Sequence, residues 1–324
     1  MKIAKGNSFL FKIKVAVLPK INLPDYKKIA QSVEKREVSV SSQEIEDSLN
    51  FLRKSRAKFT TLLTPAKTGD FLEIEYEAAG IEKIKDAFIL GEGKFVPGFE
   101  EELTGMTGGQ EKEFSLTFPE DSTRKDLAGK KVDFKTKMLS VQKIELPEPN
   151  DEFTRRLGNF LNLAELKKNI EEGLEKEKEQ AEIERQRAEI LGKVTENSKM
   201  EIPETLVEAE KNQMMEDLKQ KISQNLKISF ENYLKTTQQS EESLKETFFK
   251  EAEKKVKNFL VLREIGKKEN IFISEHEIEA ELNKAIKNYP HENLEKLDLP
   301  RLKEYIKSAK YNEKIFQILE KSSQ

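Results

Sequence analysis

Three glycines, one proline and two phenylalanines crowd into residues 90–101, in a chain that holds only 14 glycines among 324 residues. Glycines this close together demand turns or close backbone approach. Phe95, Val96 and Phe99, set between them, need something to bury against. The stretch cannot lie within a long helix, so it fixes a compact, turn-rich centre in the chain. Around it the period changes. Residues 71–76, 113–118 and 132–141 alternate as strands do, separated by turns at Gly80, Gly105, Gly108, Gly109 and Gly129. Together, residues 65–144 read as a β-rich domain of about 80 residues, within the usual range for a small domain.

On either side the pattern is helical. Ser41 with Glu44 three positions on is a capping box, and Ile45, Leu49 and Leu52 follow at helical spacing to about Ala57. After Pro147 and Pro149 the helical pattern runs to the end. Residues 163–197 contain no proline and predict a solvated helix of about 50 Å. Pro203 is placed as the first residue of a helix with Leu206, Ala209, Met214 and Leu218 on its seam. Ser240 caps a helix whose seam is Leu244, Phe248, Ala252, Val256, Phe259 and Leu260. Ser274 and Glu277 form another capping box, and Pro300 opens the last helix, with Tyr305, Ile306, Ile315 and Leu319 on its face. At the front, residues 9–17 alternate as a half-buried strand, which needs neighbours that the nearby sequence does not offer.

Composition supports this division. Hydrophobic and charged residues each make up 36%, which leaves little apolar surface for one large core and suits helices with narrow apolar seams. Residues 1–64 hold 13 Lys+Arg against 6 Asp+Glu, whereas residues 65–144 hold 12 against 16 and residues 145–324 hold 32 against 38. A basic front on an acidic body can attract a polyanion at long range, or can simply be a solvated lysine-rich surface. No direct nucleic-acid motif accompanies it. The absence of cysteine excludes disulfides, thiol nucleophiles and cysteine metal sites. Lys12 and Lys14 interrupt the N-terminal apolar run, and no segment is long enough to span a membrane. A cytoplasmic protein is expected.

Candidate chemistry is sparse. Gly91, Gly93 and Gly98 lack the Gly-Lys-Ser/Thr ending of a phosphate loop and the spacing of a dinucleotide fingerprint. His276 and His291 have no second ligand at metal-binding spacing, so neither metal nor cofactor is expected. Prolyl isomerisation needs no acid–base pair. It requires an apolar, aromatic-lined pocket that binds the twisted amide better than the planar one. Tyr76, Phe95, Val96, Phe99 and Phe134 could line such a pocket, or could be the core of a small β-domain.

Phe95-Val96-Pro97-Gly98-Phe99-Glu100-Glu101, Leu103-x-Gly105-Met106 and Phe118-Pro119-Glu120-Asp121 resemble the FKBP-type domain of the bacterial trigger factor family. Asp126-Leu127-Ala128-Gly129-Lys130, Glu145-Leu146-Pro147-Glu148 and Asp151-Glu152-Phe153 match the same family. In the helical half, the stretch from Ile202 to Glu208 and that from Leu262 to Ile271 resemble its C-terminal domain. The resemblance implies an α+β multidomain fold, with a small FKBP-like β-domain inserted into an elongated all-α C-terminal domain with helical arms. Residues 1–32 would be the remnant strand and linker of the N-terminal ribosome-binding domain. Residues 33–64 would be a linker helix belonging to the C-terminal body, 65–144 the isomerase-like domain and 145–324 the helical chaperone domain.

The resemblance further implies an ATP-independent chaperone that binds unfolded or nascent polypeptides. The family's ribosome-docking Gly-Phe-Arg-type loop is absent, so the chain resembles a truncated member and ribosome binding is not implied. Tyr76, Phe95, Val96, Phe99 and Phe134 match pocket-lining positions of the family. Ser122, however, stands where the family has tyrosine, Asp86 where an aromatic is common, and residues 78–85 are shorter than their counterpart. Losing three pocket groups at about 1–3 kcal/mol each predicts weak or absent isomerase activity. Met214 and Met215 are candidate client contacts, because flexible thioethers suit promiscuous surfaces. The alternatives are an active FKBP-type prolyl isomerase and a helical adaptor for one defined partner.

Overall fold

The computed structural model describes residues 17–78, 81–122, 124, 127–237, 239–287 and 297–322. Most of the strand expected at 9–17, the turn at Gly80, Asp126 and His291 lie outside the described residues. The backbone groups into two compact units, one of residues 39–178 and one joining residues 1–38 to 179–324. The second unit opens with a short helix, α1 (Tyr26–Gln31), capped by the Asp25 carboxylate, which accepts from the Lys28 N–H.

The 39–178 unit begins with α2 (Ser42–Lys54), where the Ser41–Glu44 capping box is present in both directions. Five strands follow: β1 (Lys58–Thr61), β2 (Phe71–Ala78), β3 (Ile81–Ile89), β4 (Glu111–Thr117) and β5 (Lys131–Glu145). All neighbours are antiparallel, in the order β1-β5-β2-β3, with β4 also paired to β5. Val132, Phe134, Thr136 and Met138 of β5 point inward while Lys131, Asp133 and Lys135 point out, the period-two pattern of a half-buried strand. A single helical turn, α3 (Phe99–Leu103), packs Phe99 and Leu103 against Leu72, Ile74, Phe134 and Met138. The sequence reading had no strand at β1 or β3. β1 is only four residues, all exposed, and exists through its pairing with the far end of β5. β3 carries Lys83, Lys85 and Asp86, and it is held by β2 from Phe71↔Ile89 to Ala78↔Ile81.

Leaving the sheet, α4 (Asp151–Leu157) is capped by Asn150, and α5 (Leu163–Asn197) is the long helix expected from its proline-free run. Leu49, Phe153 and Leu166 form a second, smaller core between α2, α4 and the start of α5.

The helical unit continues with α6 (Glu204–Lys221), a π-helical turn at Ile222–Leu226, α7 (Phe230–Thr237), α8 (Glu241–Lys268), α9 (Glu275–Lys287) and α10 (Leu299–Ser322). Tyr26, Ile190, Val194, Val261, Ile265, Ile315 and Leu319 make its main core, joining α1, α5, α8 and α10. Arg187 ties α5 to α10: its guanidinium forks onto Glu313 at 2.7 and 2.9 Å, reaches Glu320 and lies 5.2 Å over the Phe316 ring. Several details differ from the sequence reading; on α10, which begins at Leu299 rather than Pro300, Tyr305 is 71% exposed. Pro203 is the N-cap, in extended backbone, and the helix starts at Glu204. On α6 the buried positions are Val207 and Met215, a face turned one residue from the expected seam. On α8, Phe259 is 62% exposed while Leu260, Val261, Leu262 and Ile265 are buried, because the end of the helix is covered on more than one side.

Candidate functional site

The aromatic cluster of the 39–178 unit is centred on residues from three strands, the loop 90–98 and α3. β2 supplies Tyr76; β4 supplies Phe114; β5 supplies Phe134; the loop supplies Phe95 and Val96; α3 supplies Phe99. Backbone register explains the convergence. Phe114 lies directly opposite Phe134, and Ala78 opposite Phe134 on the other side, so the two strands that flank this end of β5, β4 and β2, bring their residues to it together.

Phe99 is the centre. Its ring is 0% exposed. Phe95 stacks on it at 4.5 Å with an interplanar angle of 16°, while Tyr76, Phe114 and Phe134 meet it edge-on at 5.7, 5.4 and 5.2 Å. Phe95 in turn touches Tyr76 at 5.7 Å and Phe88 at 4.7 Å. Thus all five predicted pocket residues belong to one cluster: Tyr76, Phe95 and Val96 are half-buried at its mouth, and Phe99 and Phe134 are buried beneath. The sequence reading did not place Phe88, Phe114 or Phe118 with them. The alternation of β4 put Phe114 and Phe118 on one face but could not say that this face meets Phe134.

The loop that carries Phe95 is held by an unexpected residue. Glu100, 8% exposed, turns its carboxylate back into the loop, where Oε2 accepts the Gly91 N–H at 2.7 Å and Oε1 the Lys94 N–H at 2.7 Å. The Gly93 and Phe95 amides approach the same oxygens at 3.4 Å. The turn requires glycine at two points: Gly91 has φ +96°, and a Cβ there would sit 2.6 Å from Thr68 Cγ2; Gly98, the N-cap of α3, has φ +90°. A carboxylate accepting several backbone N–H groups is a strong anchor, since charge-assisted hydrogen bonds exceed neutral ones. A sequence signal existed, an acidic residue following a run of turn glycines, but Glu101 and Glu102 beside it offered the same chemistry.

At the rim, Asp86 pairs with Lys94 at 2.6 Å, and the Lys94 ammonium lies 5.8 Å from the Phe95 centroid. Burial, and then the Asp86 carboxylate, push the Tyr76 hydroxyl above the ordinary tyrosine value. Ser122 sits in a turn closed by its N–H to the Pro119 carbonyl, and its hydroxyl accepts the Arg124 N–H.

In the helical unit, Met215 is 4% exposed and packs inside, while Met214 is half-buried. Large apolar side chains that do face outward there include Leu226, Phe249, Phe259 and Phe272. His276 is exposed on α9. Among the described residues no cluster of His, Cys, Asp and Glu could hold a metal ion, and no helix is long and apolar enough to cross a membrane.

Three family models match in sequence order: bacterial trigger factor protein over residues 1–52, FKBP-type peptidyl-prolyl cis-trans isomerase over 64–139, and the C-terminus of bacterial trigger factor protein over 162–320. The trigger factor of Caldicellulosiruptor bescii is 35% identical over 312 residues, covering 94% of this chain and 69% of that protein. That of Bacillus subtilis is 33% identical over 304 residues, covering 90% and 71%. That of Halothermothrix orenii is 37% identical over 286 residues, covering 86% and 66%. A solved structure titled for promiscuous substrate recognition in folding and assembly activities of the trigger factor chaperone aligns at 20% identity and a TM-score of 0.48, over 95% of this chain and 74% of that one. With its three segments matched in order and identity above 30% across most of its length, the chain belongs to the trigger factor family and is a chaperone of the trigger factor type.

Proposed function

We propose that this chain works in the cytoplasm as an ATP-independent holding chaperone, retaining unfolded or nascent polypeptides on its helical unit, and that its FKBP-type segment isomerises prolyl bonds weakly. Residues 65–144 act as the isomerase-like head, and residues 33–64 with 145–324 as the chaperone body. The observation that carries this reading is that the central ring of the FKBP-type cluster is closed to solvent while large apolar side chains of the helical unit are open to it. The aromatic ring at the centre of the FKBP-type cluster, Phe99, is 0% exposed. The helical unit turns Leu226, Phe249, Phe259 and Phe272 outward, and the 39–178 unit turns Phe51, Leu63 and Leu161 outward away from that cluster's core. Each such side chain offers an unfolded client an apolar foothold, and many separate contacts of this kind favour promiscuous clients over one partner. Half-buried Met214 is a further client contact, while Met215, 4% exposed, is packed inside and out of a client's reach.

The test is aggregation of a chemically denatured client followed by light scattering without nucleotide. The expected outcome is suppression at equimolar chaperone. No suppression at several-fold excess removes the proposal. A proline-limited refolding assay reads the second part: a small acceleration is expected, lost on Phe99→Leu.

A further inference from the structure

We propose that Phe95 is a built-in occupant of the prolyl seat. Its ring lies where a substrate proline ring would stack, so that substrate binding requires Phe95 to swing aside. This rests on the prolyl-pocket reading above and assigns Phe95 a role opposite to that of a wall.

The geometry carries it. A prolyl ring entering the cluster would lie on Phe99, which touches Tyr76, Phe95, Phe114 and Phe134 at once. Tyr76, Phe114 and Phe134 meet Phe99 edge-on, at interplanar angles of 72°, 69° and 79°. Phe95 alone lies flat against it, at 16° and 4.5 Å. An offset-stacked ring at this distance leaves no room for a second flat group on that face. Unlike Phe99, Phe95 is only half-buried, so it is a cover with one side to water. It can move without the backbone moving. The loop before it is pinned by Glu100 through the Gly91 and Lys94 amides, and after it the Val96 carbonyl accepts the Phe99 N–H at 3.0 Å, so opening amounts to a side-chain rotation. A cleft of about 220 Å³, bordered by Phe95, Val96, Thr68 and Thr104, gives the ring a place to go. When the competent state is a minor population, apparent affinity falls by that fraction. One aromatic stacking contact is enough to hold the open state to on the order of one tenth.

The test compares wild type with Phe95→Ala and the milder Phe95→Val in the full chain. A capped Ala-Phe-Pro-Phe peptide serves as substrate in a protease-free isomerisation assay and as ligand in calorimetric titration. Because the chain has no tryptophan, Phe99→Trp provides a unique reporter for acrylamide quenching, with Phe114→Trp as the reporter if that variant does not fold. Truncating Phe95 is expected to raise both peptide affinity and isomerisation about tenfold and to increase quenching at position 99. A loss of affinity or rate, or unchanged quenching, makes Phe95 an ordinary wall and overturns the proposal. Increased quenching with no peptide binding in any variant confirms Phe95 as the cover of Phe99 and removes the prolyl reading of the cluster instead.

Discussion

Replacing Glu100 should destabilise the β-rich unit more than any other single polar substitution near the aromatic cluster, and Glu100→Gln should be nearly as damaging as Glu100→Ala. The carboxylate presents two acceptor oxygens to converging amides, Oε2 to Gly91 and Gly93 and Oε1 to Lys94 and Phe95. The two bonds at 2.7 Å are short and charge-assisted, and each such bond contributes about 1.5–3 kcal/mol. Alanine leaves four amides without that acceptor in a site that is 8% exposed, so a loss of about 3–5 kcal/mol is expected, a large share of a typical domain's stability. Glutamine preserves the shape but turns one oxygen into an NH2 group, which then points a donor at two donors. Its cost should be about 2–4 kcal/mol. Because the chain has two compact units, a single melting curve mixes them. Native-state hydrogen exchange separates the effects: amides of the central strand β5 report unfolding of this unit, and those of Gly91 and Lys94 report the loop. A Glu100→Gln change below about 0.5 kcal/mol at β5 amides would refute the reasoning.

Other perturbations follow from the helical unit and from the charge pairs. Arg187→Met keeps the packing on Phe316 but strips Glu313 and Glu320 of their shared guanidinium; a loss of about 2 kcal/mol is expected by chemical denaturation, reduced because both carboxylates remain partly open to water. Gly266→Ala would put a Cβ 1.9 Å from Tyr311 Oη, and overpacking should cost about 1–3 kcal/mol, recovered in part by Tyr311→Val in a double-mutant cycle. Glu182 is held at about 2, below its ordinary 4.5, first by Arg185 and then by the Arg36 N–H. Glu277 is held at about 2 first by Lys314 and then by Ser274. A lowered pKa in the folded state means stability present above the ordinary value and lost as pH falls towards 2. The stability of the helical unit, read by hydrogen exchange at the α8 amides, should therefore drop between pH 4.5 and 2, with a shallower slope in Glu182→Gln.

Helix starts were legible because capping is local. Ser41 with Glu44, Ser240, and Ser274 with Glu277 all close the expected bonds within four residues. The strands β2, β4 and β5 were legible by alternation. What escaped depends on partners distant in sequence. β3, with charges at Lys83, Lys85 and Asp86, is a strand only because β2 supplies its ladder. On α6 the register of burial was set by where α8 packs, so Met215 rather than Met214 went inside. The five aromatic and aliphatic residues of the candidate pocket could be named from the sequence. The stacking of Phe95 on Phe99 and the anchoring by Glu100 could not, because both depend on how the loop folds back on α3.

If clients are held by the helical unit and not by the aromatic cluster, they must lie within reach of its exposed apolar side chains. Site-specific photo-crosslinking tests this directly. A photoreactive amino acid placed singly at Leu226, Phe249, Phe259 and Val96 is illuminated with an unfolded client present and nucleotide absent. Strong crosslinks from the three helical positions and weak ones from position 96 are predicted. Crosslinks confined to position 96 would contradict the account.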